Sequence, residues 1–180
     1  MLHILVPAAE MFDEQKNEFV QFKEQTLALE HSLVSLAKWE SKWHKPFLTQ
    51  DEKTYEETVD YIRCMTLTQN VPPDVYLRLT KKNIADVDAY IDEPMTATWF
   101  SESKKGKRST EQTTAELIYY WMISLNIPFE CQKWHLNRLL TLIRVCSIKN
   151  EKPKKMNRRQ EAINRSALNA ARRKKFNTRG

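Results

Sequence analysis

Hydrophobic and polar residues change their period along the chain, and this change predicts a small β-element followed by helices. Residues 2–6 alternate in polarity and are rich in strand-forming side chains, and Pro7 ends the run. A second pair of short strands is expected on either side of the polar turn at residues 13–17. Residues 1–30 therefore predict an antiparallel β-hairpin. Its aromatic residues are expected to form a buried face: Phe12, Phe19 and Phe22.

From residue 32 onward the apolar positions recur with the period of a helix. Ser32 is the expected N-cap of a helix that ends before Pro46. Residues 49–52 have the S/T-x-x-E form of a capping box and predict the start of the next helix. Residues 109–112 have a similar form ahead of a later helix. The chain contains 2 glycines, which argues against a sandwich with many tight turns and against a Gly-rich phosphate loop.

The last helix of this series is predicted over about residues 130–147. Its leucines, isoleucine and valine cover most of the helix circumference, so this helix is expected to be central and buried. The polar segment 149–155 follows and contains Pro153. We therefore expect an α+β fold that is predominantly α-helical, with a body at residues 1–150 and a basic C-terminal helical extension at residues 151–180.

The extension carries most of the positive charge of the chain. Residues 149–180 contain 12 Lys or Arg and 2 Asp or Glu, whereas the whole chain has a net charge of +6. Arginines recur every seven positions, at Arg158, Arg165 and Arg172, and so do the apolar residues Met156, Ile163 and Ala170, which predicts two separate stripes on a helix. Three interpretations stay open: binding to phosphate or an acidic surface, docking through the apolar stripe, and a solvated extension. The candidate basic residues are Arg158, Arg159, Arg165, Arg172, Arg173 and Lys174.

Candidate chemistry is sparse in the sequence. Cys131 and His135 are four residues apart, but no nearby residue completes a zinc site, so two residues lining the core are the better interpretation. No nucleophile motif is present, and the three cysteines have no CxxC spacing. We expect no enzymatic activity, no metal and no cofactor. A signal peptide and a transmembrane segment are not expected either, which favours a soluble intracellular protein.

Aromatic residues are the better candidates for contacts with another protein. Trp and Tyr are frequent at the centres of protein interfaces. Three consecutive aromatics at residues 119–121 cannot all face one core, so at least one tyrosine is expected at the surface. The contact candidates are Trp39, Trp43, Trp99, Phe100, Tyr119 and Tyr120.

Several long segments resemble proteins encoded in the tail-gene region of tailed bacteriophages. These segments are LEHSLVSLAKWESKWHKPFL (29–48), TVDYIRCMTLTQNV (58–71), PMTATWF (94–100), ELIYYWMISLNIPFECQKWHLNRLLTLIRVCSIKN (116–150) and SALNAARR (166–173). Together they extend over nearly the whole chain. The family is one of virion morphogenesis proteins, and the chain is most similar to a tail assembly chaperone.

The resemblance implies a non-enzymatic protein that binds the tape-measure protein and tail-tube subunits in the host cytoplasm before they polymerise. The basic C-terminus departs from that role. Two alternatives therefore stay open. One is a structural tail or connector component of the virion that packs in a ring as a homo-oligomer through its extension. The other is a nucleic-acid-binding protein that uses the basic tail. None of these roles involves a membrane.

Overall fold

The computed structural model describes residues 1–13, 17–49, 52–100, 112–150 and 158–177. Within these ranges the chain forms four strands, seven α-helices and one 3-10 helix. The fold is α+β and mostly helical, with its antiparallel strands at the N-terminus. This confirms the predicted fold class. The chain divides into two compact units, Met1–Ser147 and Ile148–Gly180.

The four short strands form one antiparallel ribbon in two halves. β1 (Leu2–Val6) pairs with β4 (Gln25–Leu29), and β2 (Ala9–Asp13) pairs with β3 (Glu18–Phe22). The same register runs through both halves, because Val6 faces Gln25 and Ala9 faces Phe22. The ladder is interrupted between them at Pro7, which has no backbone N–H to donate to a neighbouring strand.

Arg78 lies at this interruption. It follows the short helix α3 (Asp74–Leu77), and its side chain is almost fully buried. One terminal guanidinium nitrogen donates to the carbonyl of Pro7 at 2.8 Å and to that of Lys23 at 3.3 Å. The other pairs with Asp74 at 3.5 Å, and the guanidinium carbon lies 5.0 Å from the ring centre of Phe22. Arg78 thus joins the two strands where they make no ladder hydrogen bond.

The predicted buried face of the ribbon is wrong at its outer end. Phe12 is 49% exposed and Phe19 is 68% exposed, and their rings make an edge-to-face contact with centroids 5.1 Å apart. Phe22 is half-buried. The reason is geometric. The helix α4 (Lys81–Asp92) packs against β1, whereas β2 and β3 contact mainly each other. The alternation of apolar residues in the sequence continues into β2 and β3, which the helices do not cover as they cover β1.

The remaining helices are α1 (Leu33–Trp43), α2 (Tyr55–Met65), α5 (Ala115–Ser124), α6 (Leu136–Asn150) and α7 (Arg158–Phe176), with a 3-10 helix at Phe129–Lys133. Ser32 caps α1 as predicted, because its hydroxyl accepts from the N–H of Ser35 at 3.3 Å.

Two predicted helix starts are wrong. The capping box of α2 is formed by Thr54 and Glu57, not by residues 49–52. Both segments have the same S/T-x-x-E pattern, and only the later one directly precedes the apolar repeat. Likewise α5 begins after Thr114, whose hydroxyl accepts from the N–H of Leu117. Most of the segment predicted at 109–112 lies outside the described residues.

The segment that follows β4 is hydrogen-bonded to two helices at the centre of the first unit. The N–H of Glu30 donates to the carbonyl of Met65 at 3.0 Å, and the N–H of Leu136 donates to the carbonyl of His31 at 2.7 Å. Residues 30–31 are therefore bonded both to the end of α2 and to the start of α6. The largest fully buried apolar side chains come from β4, α1, α2, α5 and α6: Leu27, Leu29, Leu33, Leu36, Trp39, Ile62, Met65, Ile118, Met122, Leu136 and Leu139.

The prediction that α6 is central and buried on most sides is wrong. Its fully buried residues are Leu136, Leu139 and Ile143, which form one stripe, while the other apolar residues are half-buried or exposed. The N-terminal part of the helix predicted at about residues 130–147 is the 3-10 helix, so α6 starts later than expected. Cys131 and His135 are both buried, as the interpretation of core-lining residues requires.

His31 and His135 form a buried pair inside the core. Their ring centroids are 5.1 Å apart, and the Nδ1 of His31 is 2.5 Å from the hydroxyl oxygen of Tyr61. His135 donates from Nε2 to the carbonyl of Tyr90 at 3.0 Å. Burial, and secondarily the proximity of His135, lowers the pKa of His31 from 6.5 to about 3. The imidazole of His31 is therefore neutral in the folded protein.

The low pKa of His31 makes folding sensitive to acid. The unfolded chain takes up a proton at His31 near pH 6.5, whereas the folded chain does so only near pH 3. Stability from this residue is complete above pH 6.5 and is lost as the pH falls towards 3. Between pH 8 and pH 5 we expect it to lower the free energy of unfolding by about 2 kcal/mol.

Urea unfolding at several pH values, followed by circular dichroism, measures this loss. His31→Asn is the matched variant, because its amide oxygen can accept from the hydroxyl of Tyr61 but does not titrate. The variant is expected to lose about 2 kcal/mol less than the native chain over the same pH interval. Equal losses in both proteins would show that other groups cause the acid sensitivity.

Candidate functional site

The outer side of α5 is an exposed apolar surface. The helix is apolar around most of its circumference, but only its inner positions, Ala115, Ile118 and Met122, are fully buried. On the solvent side, Tyr120 is 63% exposed and Ile123 is 60% exposed. They are three residues apart and therefore lie on one helix face. An apolar helix of this kind is usually covered on all sides, so this face lacks the cover that its composition favours.

The 3-10 helix extends the same surface. Phe129 is exposed, and its ring centroid is 6.5 Å from that of the half-buried Tyr119. The hydroxyl of Tyr119 donates to Oε1 of Gln132 at 2.9 Å, which ties α5 to the 3-10 helix. We call Tyr119, Tyr120, Ile123 and Phe129 the α5 surface. Burial raises the pKa of the Tyr119 hydroxyl, so it stays a neutral donor.

Two exposed carboxylates lie on the same elements as the α5 surface. Glu116 is in the first turn of α5, and Glu130 is the residue after Phe129. The 3-10 helix also carries the exposed Lys133, so these two elements together have a net charge of −1. A partner with apolar residues flanked by lysine or arginine matches this distribution of polarity and charge.

A buried carboxylate positions α5 on the body. Glu40, near the end of α1, is 8% exposed. One carboxylate oxygen accepts from the N–H of Ala115 at 2.7 Å, and the other accepts from the N–H of Phe47 at 2.8 Å. Ala115 is the first residue of α5, so the negative charge also lies at the positive end of the helix dipole. Glu40 therefore fixes the N-terminus of the helix that displays the α5 surface.

Trp39 is wrong as a contact candidate. It is 1% exposed and lies in the core, where its ring centroid is 5.1 Å from that of Phe47. Its indole N–H donates to the carbonyl of Glu57 at 2.9 Å. Trp43, one turn later, is half-buried. It stacks on Trp39 at 6.1 Å and donates to Asp60 at 3.0 Å. The i, i+4 spacing predicted a shared face correctly, but that face points inward.

The other predicted aromatics have different surroundings. Trp99 is 83% exposed. Phe100 is half-buried, with the guanidinium carbon of Arg144 4.1 Å from its ring centre. Of the six candidates, Tyr119 and Tyr120 are the two that belong to the α5 surface, and the expectation that at least one tyrosine is exposed is met by Tyr120.

A hollow beside α1 and α2 is lined by several charged residues. Its volume is about 250 Å³, and its lining includes Trp39, Lys45 and Glu57. Lys45 contacts Oε1 of Glu57 at 2.6 Å, and the N–H of Thr54 donates to Oε2 at 2.8 Å. The bond to Lys45, and then that to Thr54, lowers the pKa of Glu57. Both oxygens are thus occupied, and the side chain acts as a helix cap rather than as a proton acceptor.

The described part of the chain contains no group of three or more His, Cys, Asp or Glu side chains placed to hold a metal ion. Within the same part, no helix is long and apolar enough to cross a lipid bilayer.

The described side chains of α7, at residues 162–176, are all exposed. They include the predicted basic residues Arg165, Arg172, Arg173 and Lys174. Arg158 and Arg159 belong to the first turn of α7, but their side chains lie outside the described residues. Apolar side chains are also exposed on this helix: Ile163, Leu168 and Phe176.

Sequence reasoning missed Ile123, Phe129 and Glu40. A signal for Ile123 was present, because it follows Tyr120 at i+3 and falls outside the i, i+3, i+7 spacing of Ala115, Ile118 and Met122. No local signal marks Glu40, since its two partners are 7 and 75 residues away in the sequence.

A scan against protein-family models and searches of curated proteins and of solved structures found no match to this chain.

Proposed function

We propose that this protein is a non-enzymatic phage tail assembly factor that binds an amphipathic helix of a tail protein, the tape-measure protein first, through the α5 surface. The observation that carries the proposal is the open apolar face of α5, a helix apolar on most sides but buried on one. The tail-protein client comes from the resemblance of the sequence to tail assembly chaperones. Such a factor acts in the host cytoplasm before the tail polymerises.

The energetics of the α5 surface support protein binding. Fully burying a large apolar side chain contributes about 1.5–3 kcal/mol relative to leaving it exposed. Tyr120, Ile123 and Phe129 are each more than half exposed, so they retain most of this contribution for a partner. Tyrosine also places a hydroxyl at the edge of a contact, where water can reach it.

The shape of the surface fits a helical client. Tyr120 and Ile123 make a ridge on α5, and Phe129 on the 3-10 helix packs near Tyr119 of α5. A helix with apolar residues at i, i+3 and i+4 fits between such features. The exposed carboxylates of Glu116 and Glu130 favour basic residues at the edge of that client helix.

A double substitution on the α5 surface tests the proposal. Tyr120→Ala with Ile123→Ala keeps good helix formers in α5 and is expected to weaken binding of the co-expressed tape-measure protein at least tenfold, since two interface anchors are removed. Tyr55→Ala is the control, because Tyr55 is equally exposed but lies at the start of α2. Affinity is measured on purified proteins after a co-expression pull-down, with the thermal midpoint of each variant recorded.

Equal binding by the double variant and the control would reject the α5 surface as the binding site. A second measurement separates a chaperone from a permanent component. Mass spectrometry of purified virions is expected to lack this protein if it acts only during assembly. Stoichiometric copies in the virion would instead favour the structural tail or connector role.

A further inference from the structure

Helix α7 has an exposed basic surface that binding through the α5 surface does not use. Two adjacent rows of side chains, each with a spacing of four residues, line a shallow hollow along one side of α7. One row is Ala162, Ser166 and Ala170, and the other is Arg165, Asn169 and Arg173. The first row has small side chains and the second has long side chains with several hydrogen-bond donors.

Basic residues also flank this hollow on both sides. Residues 158–176 contain seven Lys or Arg and one acidic residue, Glu161. With about 3.6 residues per turn, Arg172 and Lys174 project roughly a quarter turn to either side of the hollow. Both are exposed. The positive charge of α7 therefore surrounds the hollow rather than forming a single stripe.

This distribution of charge discriminates between classes of partner. The acidic face of another protein contacts a helix along one side only. The basic residues on the other side of the helix then stay in water. The major groove of DNA is about 12 Å wide, close to the 10–12 Å diameter of a helix with its side chains, and has phosphates on both walls. The deep and narrow major groove of A-form RNA does not admit a helix in the same way.

The side chains of the hollow fit the floor of that groove. Arginine donates to the O6 and N7 atoms of guanine, and asparagine pairs with the N6 and N7 atoms of adenine. The small row of Ala162, Ser166 and Ala170 lets the helix backbone approach the bases closely. We infer that α7 is a DNA-binding helix that enters the major groove with the Arg165–Asn169–Arg173 row towards the bases and the flanking basic residues towards the phosphates.

Binding of the full-length chain to a fluorescent 20-base-pair DNA duplex, measured by anisotropy, tests this inference. At 50 mM salt the dissociation constant is expected in the micromolar range, and it should weaken by tenfold or more at 200 mM salt as counterions are released. Arg165→Gln with Arg173→Gln should weaken binding at least tenfold. The control, Lys81→Gln with Lys82→Gln, removes the same charge from exposed positions on α4 and should change binding less than twofold.

Competitors identify the partner class. Unlabelled duplex DNA should displace the probe better than duplex RNA, single-stranded DNA or polyglutamate of equal charge. Absence of binding at 50 mM salt, equal loss in the α4 control, or better competition by polyglutamate or RNA would each overturn the inference.

The two proposals fail independently. The Tyr120→Ala, Ile123→Ala variant should bind DNA normally, and the Arg165→Gln, Arg173→Gln variant should bind the tape-measure protein normally.

Discussion

Replacing Glu40 by alanine is expected to lower the free energy of unfolding by about 4 kcal/mol, because two buried N–H groups lose their acceptor at once. These groups belong to Phe47 and Ala115, 2.8 and 2.7 Å from the carboxylate. Each unpaired buried donor costs about 1–3 kcal/mol, and the favourable charge at the N-terminus of α5 is lost as well. Glu40→Gln keeps one acceptor oxygen, so its expected cost is smaller.

Chemical denaturation of the full-length variants measures the effect. Glu116→Ala is the matched control, because Glu116 lies in the first turn of the same helix but is exposed, and its loss should cost less than about 1 kcal/mol. The Glu40 variants should also lose protection from amide exchange first in α5. A Glu40→Ala protein as stable as the control would mean that α5 holds its position without this carboxylate.

The second large effect is expected at Trp39. Replacing Trp39 by alanine should cost about 3–5 kcal/mol, the usual range for truncating a buried aromatic side chain. The indole is 1% exposed, contacts the rings of Phe47 and Tyr61, and donates to the carbonyl of Glu57. The substitution leaves a cavity and also removes the partner of that carbonyl.

Trp99→Ala is the control for Trp39, since Trp99 is 83% exposed. Its replacement should shift the free energy of unfolding by less than about 0.5 kcal/mol. Urea titrations followed by far-ultraviolet circular dichroism compare the two variants without depending on tryptophan fluorescence. If both substitutions cost the same, the burial of Trp39 does not determine its contribution to stability.

Local sequence patterns predicted the secondary-structure elements better than they predicted how those elements pack. The alternation of residues 2–6 and the cap at Ser32 identified β1 and α1, because both signals depend on neighbouring residues. The capping box of α2 was misplaced because residues 49–52 and the pair Thr54 and Glu57 have the same pattern. Only the complete helix shows which of the two precedes its first turn.

Burial was harder to predict than secondary structure. Phe12 and Phe19 alternate like core residues, yet the helix α4 packs on β1 rather than on the strands that carry them. Trp39 and Ile123 are both large apolar residues in helices, yet Trp39 is buried and Ile123 is exposed. Which side of a helix faces the core depends on contacts between distant segments, such as the hydrogen bond that the N–H of Ala115 donates to Glu40, and no local pattern encodes them.

The guanidinium of Arg78 has a consequence for the mechanics of the N-terminal ribbon. A two-stranded ladder resists bending at each pair of hydrogen bonds, and the ribbon lacks such a pair next to Pro7. There the stiffness depends on one side chain, which joins the carbonyls of Pro7 and Lys23 and is itself held by Asp74. The orientation of the outer strands, which carry Phe12 and Phe19, is therefore coupled to α3 through Arg78. Bending the ribbon at Pro7 would pull on this side chain and so on that helix.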